Sequence, residues 1–325
     1  MMRDYLLRRL LSVIPILFGV MLLTFALFFV IQTPRAMALR ILGPKAPPEA
    51  VANWLHNRGY DKPRFVNLRP GAAWWDSQFV GHLRSLALFD LGRSDATGDP
   101  VSTMFKRGMV PSLLITLPAF VVGLCLAVSA ALLLVMVRES ALDLAGALVC
   151  VMMMSIPVMA YVILGQWLMA VKLPWFPAFG FDLAGLGTVR YLVLPVALAV
   201  LAGLGSDVRL YRAVFLEEIR QDYVRTAQAK GASARRVLFV HVLKNGMISL
   251  VTMVVASLPF LIMGSLVLES FFGIPGLGNL MMNAIRTSDF AVVRASVWLG
   301  SLLYLGGLLL TDLAYALVDP RVRFQ

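Results

Sequence analysis

The sequence predicts an all-α polytopic membrane protein with six transmembrane helices. Three observations carry that class. Of the 325 residues, 59% are hydrophobic and only 14% charged, where a soluble domain has about 25% charged residues. The mean hydropathy of +0.81 excludes ordinary soluble enzymes, disordered chains and fibrous proteins. Long uncharged runs recur along the chain, and a bilayer core of about 30 Å needs about 20 apolar residues as helix.

The first run, 10–31, follows Arg8 and Arg9. A cleaved leader has the same basic start, and Ala36-Met37-Ala38 resembles a cleavage triplet. The run is longer than the apolar stretch of about 7–15 residues in a signal peptide, so it reads as an uncleaved span. The segment 32–108 is the sizeable polar part of the chain. Its prolines and glycines predict short helices on the outer membrane face. Trp54, Trp74 and Trp75 read as interfacial anchors, with contact to a partner or substrate as the alternative. Spans two and three are 109–137 and 144–171. The fourth run, 191–206, is short. It becomes a full crossing if the helix starts near Leu186 and Arg190 snorkels to the interface. Spans five and six are 246–268 and 295–311, the latter continuing past Asp312 through 313–318. Pro15, Pro118, Pro157, Pro195 and Pro259 fall inside spans. They read as packing kinks, or else as hinges or pore-lining bends.

Lys and Arg near short loops set orientation. With the N-terminus inside, the inner segments hold Arg3, Arg8, Arg9, Arg138, Arg209, Arg212, Arg220, Arg225, Lys230, Arg235, Arg236, Lys244, Arg321 and Arg323. The short outer loops hold only Lys172, Arg190, Arg286 and Arg294. Both termini are therefore expected in the cytoplasm. The net charge of +11 is then a topology signal. It does not point to nucleic acid, because the long uncharged stretches leave no basic face. Cys125 and Cys150 both fall in apolar runs and read as small packing residues, with no disulfide framework or metal cluster.

The inner loop 207–245 carries a helix-Gly-helix pattern. Ile219, Tyr223 and Thr226/Ala227 recur at helical spacing. Gly231 supplies a helix stop. Ser233 can cap a second helix leading from Ala234 into span five. The small residues Ala227, Ala229, Gly231 and Ala232 would let another protein approach closely, while an ordinary interfacial amphipathic loop stays open as the alternative. The outer loop that follows contains Glu269 and then Phe272-Gly273-Ile274-Pro275-Gly276-Leu277-Gly278, an irregular turn. It follows no strand, so it is not a nucleotide fingerprint.

Much chemistry is missing. There is no Gly-Lys pair for a phosphate-binding loop, no His-Glu-x-x-His and no Gly-x-Ser-x-Gly. His56, His82 and His241 are dispersed, and the first two read as solvated or capping residues. Asp312 is the one acid clearly within a span, read as an interface-facing group near Arg321. That argues against an ion-coupled secondary transporter, which carries buried acids or broken helices at the midplane. Ser155 and Ser257 have no His or Lys at matched depth, which argues against an intramembrane enzyme.

Three motifs together resemble the permease subunits of dipeptide, oligopeptide and nickel ABC importers. They are Asp222-Tyr223-Val224-Arg225-Thr226-Ala227, Ala229-Lys230-Gly231 with Asn245; Glu269, Phe272, Ile274-Pro275-Gly276-Leu277-Gly278 with Ala284-Ile285 and Asp289; and Leu317-Val318-Asp319-Pro320-Arg321. The start, Tyr5-Leu6-Leu7-Arg8-Arg9-Leu10, and Asp61-Lys62-Pro63 with Asp90-Leu91-Gly92 and Ser94 resemble the first of the two permeases such systems use. The chain departs from the pattern at Asn245-Gly246-Met247, where a proline is usual, at Asp289-Phe290, where Asp-Pro is common, and near Pro34, which lacks Gly-Asp-Pro.

The resemblance covers essentially the whole chain and implies a type I ABC importer permease fold in the bacterial inner membrane. It implies three parts: 1–31 as N-terminus and first span, 32–108 as the extracytoplasmic segment, and 109–325 as a five-helix core with the coupling loop 207–245. It implies a non-catalytic subunit that binds no cofactor, ATP and Mg being bound by partner subunits. The implied partners are a homologous second permease, two ATP-binding subunits, an extracytoplasmic substrate-binding protein and membrane lipid, with no nucleic acid. Asp222, Arg225, Thr226, Ala227, Ala229, Lys230 and Gly231 are the implied contact with the ATPase. Met153, Ser155, Pro259, Glu269, Pro275 and Gly276 are expected along the translocation path or outer gate. Peptides are the expected substrate, with nickel or glutathione uptake as alternatives.

Overall fold

The computed structural model describes residues 2–31, 33–68, 71, 73–182 and 187–318. Leu186 and the C-terminal Asp319, Pro320, Arg321 and Arg323 lie outside the described residues. In chain order the helices are α1 (Met2–Phe25), α2 (Pro34–Leu42), α3 (Pro48–Asn57), α4 (Gln78–Ala87), α5 (Val101–Met136), α6 (Ala141–Ser155), α7 (Val158–Gln166), α8 (Gly187–Glu218), α9 (Asp222–Ala229), α10 (Ala234–Arg236), α11 (Leu243–Met263), α12 (Leu266–Phe272), α13 (Leu277–Thr287) and α14 (Phe290–Val318). Wider π-helical turns continue α1 over Ala26–Ile31 and α7 over Trp167–Lys172, and join α10 to α11 over Val237–Val242. Among the described residues the extended pairing is a single bridge, Arg93 to Pro100.

Local chemistry sets many of these starts. Thr33, Ser77, Ser140, Ser233 and Ser265 each turn a side-chain oxygen onto an N–H of the first turn of α2, α4, α6, α10 and α12, meeting donors that a helix end leaves unpaired.

Five helical runs are long and apolar enough to cross a membrane: Leu11–Ile31, Val101–Met136, Gly187–Glu218, Ala234–Phe272 and Phe290–Ala314. A sixth crossing exists only if α6 and α7, bent by 87° where they meet, count as one. The expected third span is therefore broken. Pro157 causes the break. Its ring excludes the preceding residue from the helical region, and Ile156 is extended at φ −91°, ψ 120°. Pro15, Pro118, Pro195 and Pro259 stay within their helices.

Large apolar side chains such as Leu11, Leu23, Leu133, Leu144 and Leu164 are exposed. So much outward apolar surface is what a hydrocarbon solvent requires.

The described chain divides into two compact units, one joining Met1–Gly108 to Leu280–Leu309 and the other built on Met109–Asn279. The division after Gly108 falls at one of the expected boundaries, whereas position 32 lies inside the first unit. The polar segment shares a unit with α1 and much of α14, and does not stand apart from the spans.

In the first unit α4 packs on α1. His82 is 6% exposed, and its Nε2 lies 3.1 Å from Thr24 Oγ1 and 3.2 Å from the Met21 carbonyl. It is neither solvated nor a cap. Trp54 is also buried, under the Arg58 guanidinium at 4.3 Å, whereas Trp74 and Trp75 are exposed.

In the second unit α6 packs along α8, tied by a two-pronged pair in which Arg212 Nε and Nη2 donate to the Asp143 carboxylate at 2.9 and 2.7 Å. Asp143, Asp207 and Glu269 all sit in helices of spanning character, so Asp312 is not alone. The uncharged run ends at Asp207 because a charge stands there. The helix itself continues to Glu218, with Val208, Tyr211 and Phe215 still buried on one face.

Candidate functional site: the Asp222–Ser233 bracket and the Glu269 loop

The bracket begins where α8 stops. Arg220 and Gln221 donate backbone N–H groups to Glu217 and Glu218 at 3.2 Å. Gln221 is extended, and α9 starts with Asp222, an acid placed favourably at the positive end of a helix. Val224 is 1% exposed and joins Phe215, Val237, Leu238, Val242 and Leu250 in one apolar cluster, with Tyr223 and Ala227 packed against it. Tyr223 Oη donates to Glu218 Oε2 at 2.7 Å, and the Asn245 side chain bonds the same phenol. Burial and the Glu218 carboxylate push the Tyr223 pKa up to about 12. The phenol thus stays a neutral donor, fastening α9 to the end of α8 and the start of α11. Gly246, where proline was expected, lets Phe215 lie against the α11 backbone. An added Cβ would come within 2.9 Å of that ring.

The far end of α9 closes in a Schellman arrangement. Ala232 N–H reaches the Ala227 carbonyl at 3.1 Å and Gly231 N–H reaches the Gln228 carbonyl at 2.9 Å. This geometry needs a left-handed residue at 231, and Gly231 has φ +81°. No atom lies within 4 Å of where its Cβ would be. The glycine is demanded by its backbone angle, and the space beyond it is open. Ser233 Oγ then accepts the Arg236 N–H at 3.4 Å and starts the helical run into α11.

The outer surface of this bracket carries Asp222, Arg225, Thr226, Ala229, Lys230 and Gly231, all exposed. Ala227, expected among them, is half-buried on the core side because its carbonyl and methyl belong to the helix stop. The Asp222–Arg225 pair, 3.3 Å apart and exposed on both sides, adds little stability. It leaves both charges available.

The second candidate is the loop around Glu269, whose side chain is 0% exposed. Oε1 accepts the Ser112 hydroxyl at 2.8 Å and the Ser265 N–H at 3.1 Å. Oε2 accepts the Asn279 N–H at 3.0 Å, and the Gly278 N–H adds a further bond. Ser112 Oγ in turn accepts the Leu277 N–H at 2.8 Å. The carboxylate is thus a peg gathering the start of α12, the start of α13 and α5. Gly276 is required by space: a Cβ there would overlap the Glu269 carboxyl and Ser112 Oγ.

The expected pathway residues are placed as follows. Pro259, Glu269 and Gly276 are buried within this unit. Ser155 and Pro275 are exposed and Met153 is half-buried.

Sequence reasoning singled out Ser94 and Asp289 separately, and the first unit brings them together. Ser94 Oγ donates to Asp289 Oδ2, and Asp95 N–H donates to Asp289 Oδ1 at 3.0 Å. Asp95 Oδ2 accepts the Ala291 N–H at 3.0 Å while Arg58 Nε donates to Asp95 Oδ1 at 3.0 Å. Two carboxylates thereby cap α14. Burial raises the Asp95 pKa despite these donors. Sequence reasoning missed Asp95, Arg58 and Ser112, whose only signal was polarity.

A family model for the inner membrane component of binding-protein-dependent transport systems matches residues 119–324, and a model for the N-terminal part of such components matches residues 1–96. The chain is 33% identical over 328 residues to a Brucella melitensis protein named as a peptide transport system permease, with 100% of both chains covered. It is 30% identical to the glutathione transport system permease protein of Escherichia coli strain K12, again with 100% of both covered. It is 28% identical to the dipeptide transport system permease protein of Alkalihalophilus pseudofirmus, over 99% of this chain and 100% of the other. Matched from end to end by such permeases, with helices long and apolar enough to cross a membrane, the chain belongs to the family of inner membrane components of binding-protein-dependent transport systems.

Proposed function

We propose that this chain is the first permease of an ATP-driven peptide importer. It pairs with a homologous second permease, two ATP-binding subunits that hold ATP and Mg, and an extracytoplasmic substrate-binding protein. The chain itself is a non-catalytic transport subunit, and the solute path runs between the two permeases. The observation that carries this reading is the bracket. Its inner side is locked into the apolar cluster by Val224. Its outer side offers Arg225, Thr226, Ala229, Lys230 and an unobstructed Gly231 to the ATP-binding subunit. Both termini and the bracket lie in the cytoplasm in this reading, which requires α6 and α7 together to serve as one crossing. Glutathione is the second reading, favoured by the 30% identity to a glutathione permease.

The test is to purify the complex with its binding protein, identify the co-purified ligand by mass spectrometry and measure uptake into proteoliposomes. The expected result is a di- or oligopeptide taken up only with ATP and binding protein. Glutathione as sole ligand would select the second reading. Uptake that survives ATP depletion and collapses with the proton gradient would overturn both.

A further inference from the structure

In the second unit, a groove of about 260 Å³ lies among α5, α8, α11 and α12. Its walls are mostly apolar, with Phe120, Leu261 and Leu268 among them. Four side chains bring polar groups to it, of which the Ser265 hydroxyl already accepts the Leu268 N–H at 3.3 Å. Thr116 is committed, its hydroxyl donating to the Leu261 carbonyl at 2.6 Å and the Ser112 carbonyl at 2.9 Å. Asp207 and Tyr211, one turn apart on the same face of α8, are not committed. Among the described residues the Asp207 carboxylate makes no hydrogen bond or ion pair. The charged neighbour of the Tyr211 phenol is Asp207 itself. The two cations nearest Asp207 along this helix, Arg209 and Arg212, are directed elsewhere. Arg212 is held by Asp143 at 2.7 Å, and Arg209 is exposed, two residues from Asp207 and so on another face.

A half-buried carboxylate in a helix of membrane-spanning character, without a cation, is a costly arrangement that calls for a positively charged partner. We propose that the groove is part of the solute path and that Asp207, assisted by the Tyr211 hydroxyl, receives the ammonium end of a passing peptide. The proposal rests on the peptide-importer reading above. The volume agrees with this role. It falls below the range of about 300–1,000 Å³ for a site that engulfs a drug-sized ligand, so it accommodates one end of a peptide and holds it only in passing. The apolar walls tolerate varied side chains, while the carboxylate answers the one group that all unblocked peptides share. The acceptor is selective for charge and indifferent to sequence.

The test uses the assembled complex with its binding protein in proteoliposomes and a radiolabelled mixture of di-, tri- and tetraalanine. Because the binding protein sets capture, Asp207→Asn should lower kcat about tenfold, the equivalent of about 1.4 kcal/mol, with KM unchanged. Asp207→Glu should retain most of the rate. In a Cys125→Ser, Cys150→Ser background, Asp207→Cys should react with an ethylammonium thiosulfonate, and peptide with ATP should slow the reaction. Wild-type turnover in Asp207→Asn, equal losses in the Asn and Glu variants, or no thiosulfonate labelling of the Asp207→Cys variant would overturn the proposal. Loss of the assembled complex in Asp207→Asn would also overturn it, assigning Asp207 to a basic group of the second permease. If the wild-type complex takes up none of the alanine peptides, the peptide reading falls first and this inference falls with it.

Discussion

Gly231 allows the docking role of the bracket to be separated from its folding role. Its φ of +81° is left-handed, and an L-residue there costs about 1–2 kcal/mol. Since nothing stands within 4 Å of the added Cβ, neither side chain clashes at its first carbon, and both carry this backbone penalty. Gly231→Ala and Gly231→Phe should therefore destabilise the chain similarly, by no more than about 2 kcal/mol, against a typical stability of about 5–15 kcal/mol. Their effects on a docked partner should diverge, because only phenylalanine fills the open space over the apex. The assay is peptide taken up per ATP hydrolysed in proteoliposomes, read beside thermal melting in detergent. The alanine variant should keep most of its coupling and the phenylalanine variant should lose it about tenfold, equivalent to about 1.4 kcal/mol. Equal coupling in the two variants at equal stability would refute the assignment of the exposed face to the ATP-binding subunit.

Three further outcomes follow from the buried groups. Glu269→Gln turns an amide N–H toward N–H and O–H donors that now meet a carboxylate. It should cost about 3 kcal/mol, and a melting shift equivalent to less than about 1 kcal/mol would count against the peg. Gly276→Ala should be worse than Gly231→Ala, since its methyl overlaps the Glu269 carboxyl and Ser112 Oγ; melting of the two variants side by side decides it. Desolvation, helped by the Arg294 charge, lowers the His82 pKa to about 4. The unfolded chain therefore takes up this proton between about pH 6.5 and 4 while the folded chain does not. Stability is full above pH 6.5 and falls by about 3 kcal/mol as pH drops to 4. His82→Gln should remove most of that slope in pH-dependent melting.

Composition and run length made the spans legible, because lipid imposes its requirement on every outward residue. The bracket was legible for a different reason. A Gly at 231 and a Ser at 233 solve backbone problems locally, so their roles survive without knowledge of the tertiary structure. Asp207 was not legible. An apolar run ends at a charge, while a helix ends only where its hydrogen bonds do, and α8 runs on to Glu218. Pro157 was read as one proline among five within spans. Its 87° consequence depends on what packs around the break. The Asp95–Asp289 pair needed residues nearly two hundred positions apart to meet, and no local pattern encodes that.

The two candidate sites are ends of one element. From the Ser233 cap the chain is helical without a break through α10, the π-helical turn and α11 to Met263, about 45 Å at 1.5 Å per residue. Gly264, at φ +71°, ends that run, and five residues later Glu269 pegs the loop. A force applied at the exposed face of Gly231 enters this rod at its base, because the apolar cluster holds α9 against Val237 and Leu238. It leaves the rod at Gly264, beside the carboxylate that orders the starts of α12 and α13. In the proposed coupling this continuous run is the element that carries displacement from the bracket toward the loop, with the π-helical turn and Pro259 as the places where it can bend. The buried, fully bonded Glu269 is then the part that must hold for the movement to reach the loop. Loosening it with Glu269→Gln should let ATP hydrolysis continue while uptake falls, even in a variant melted less than halfway at the assay temperature. If uptake and hydrolysis instead fall together in proportion to the folded fraction, the rod carries no signal to the loop.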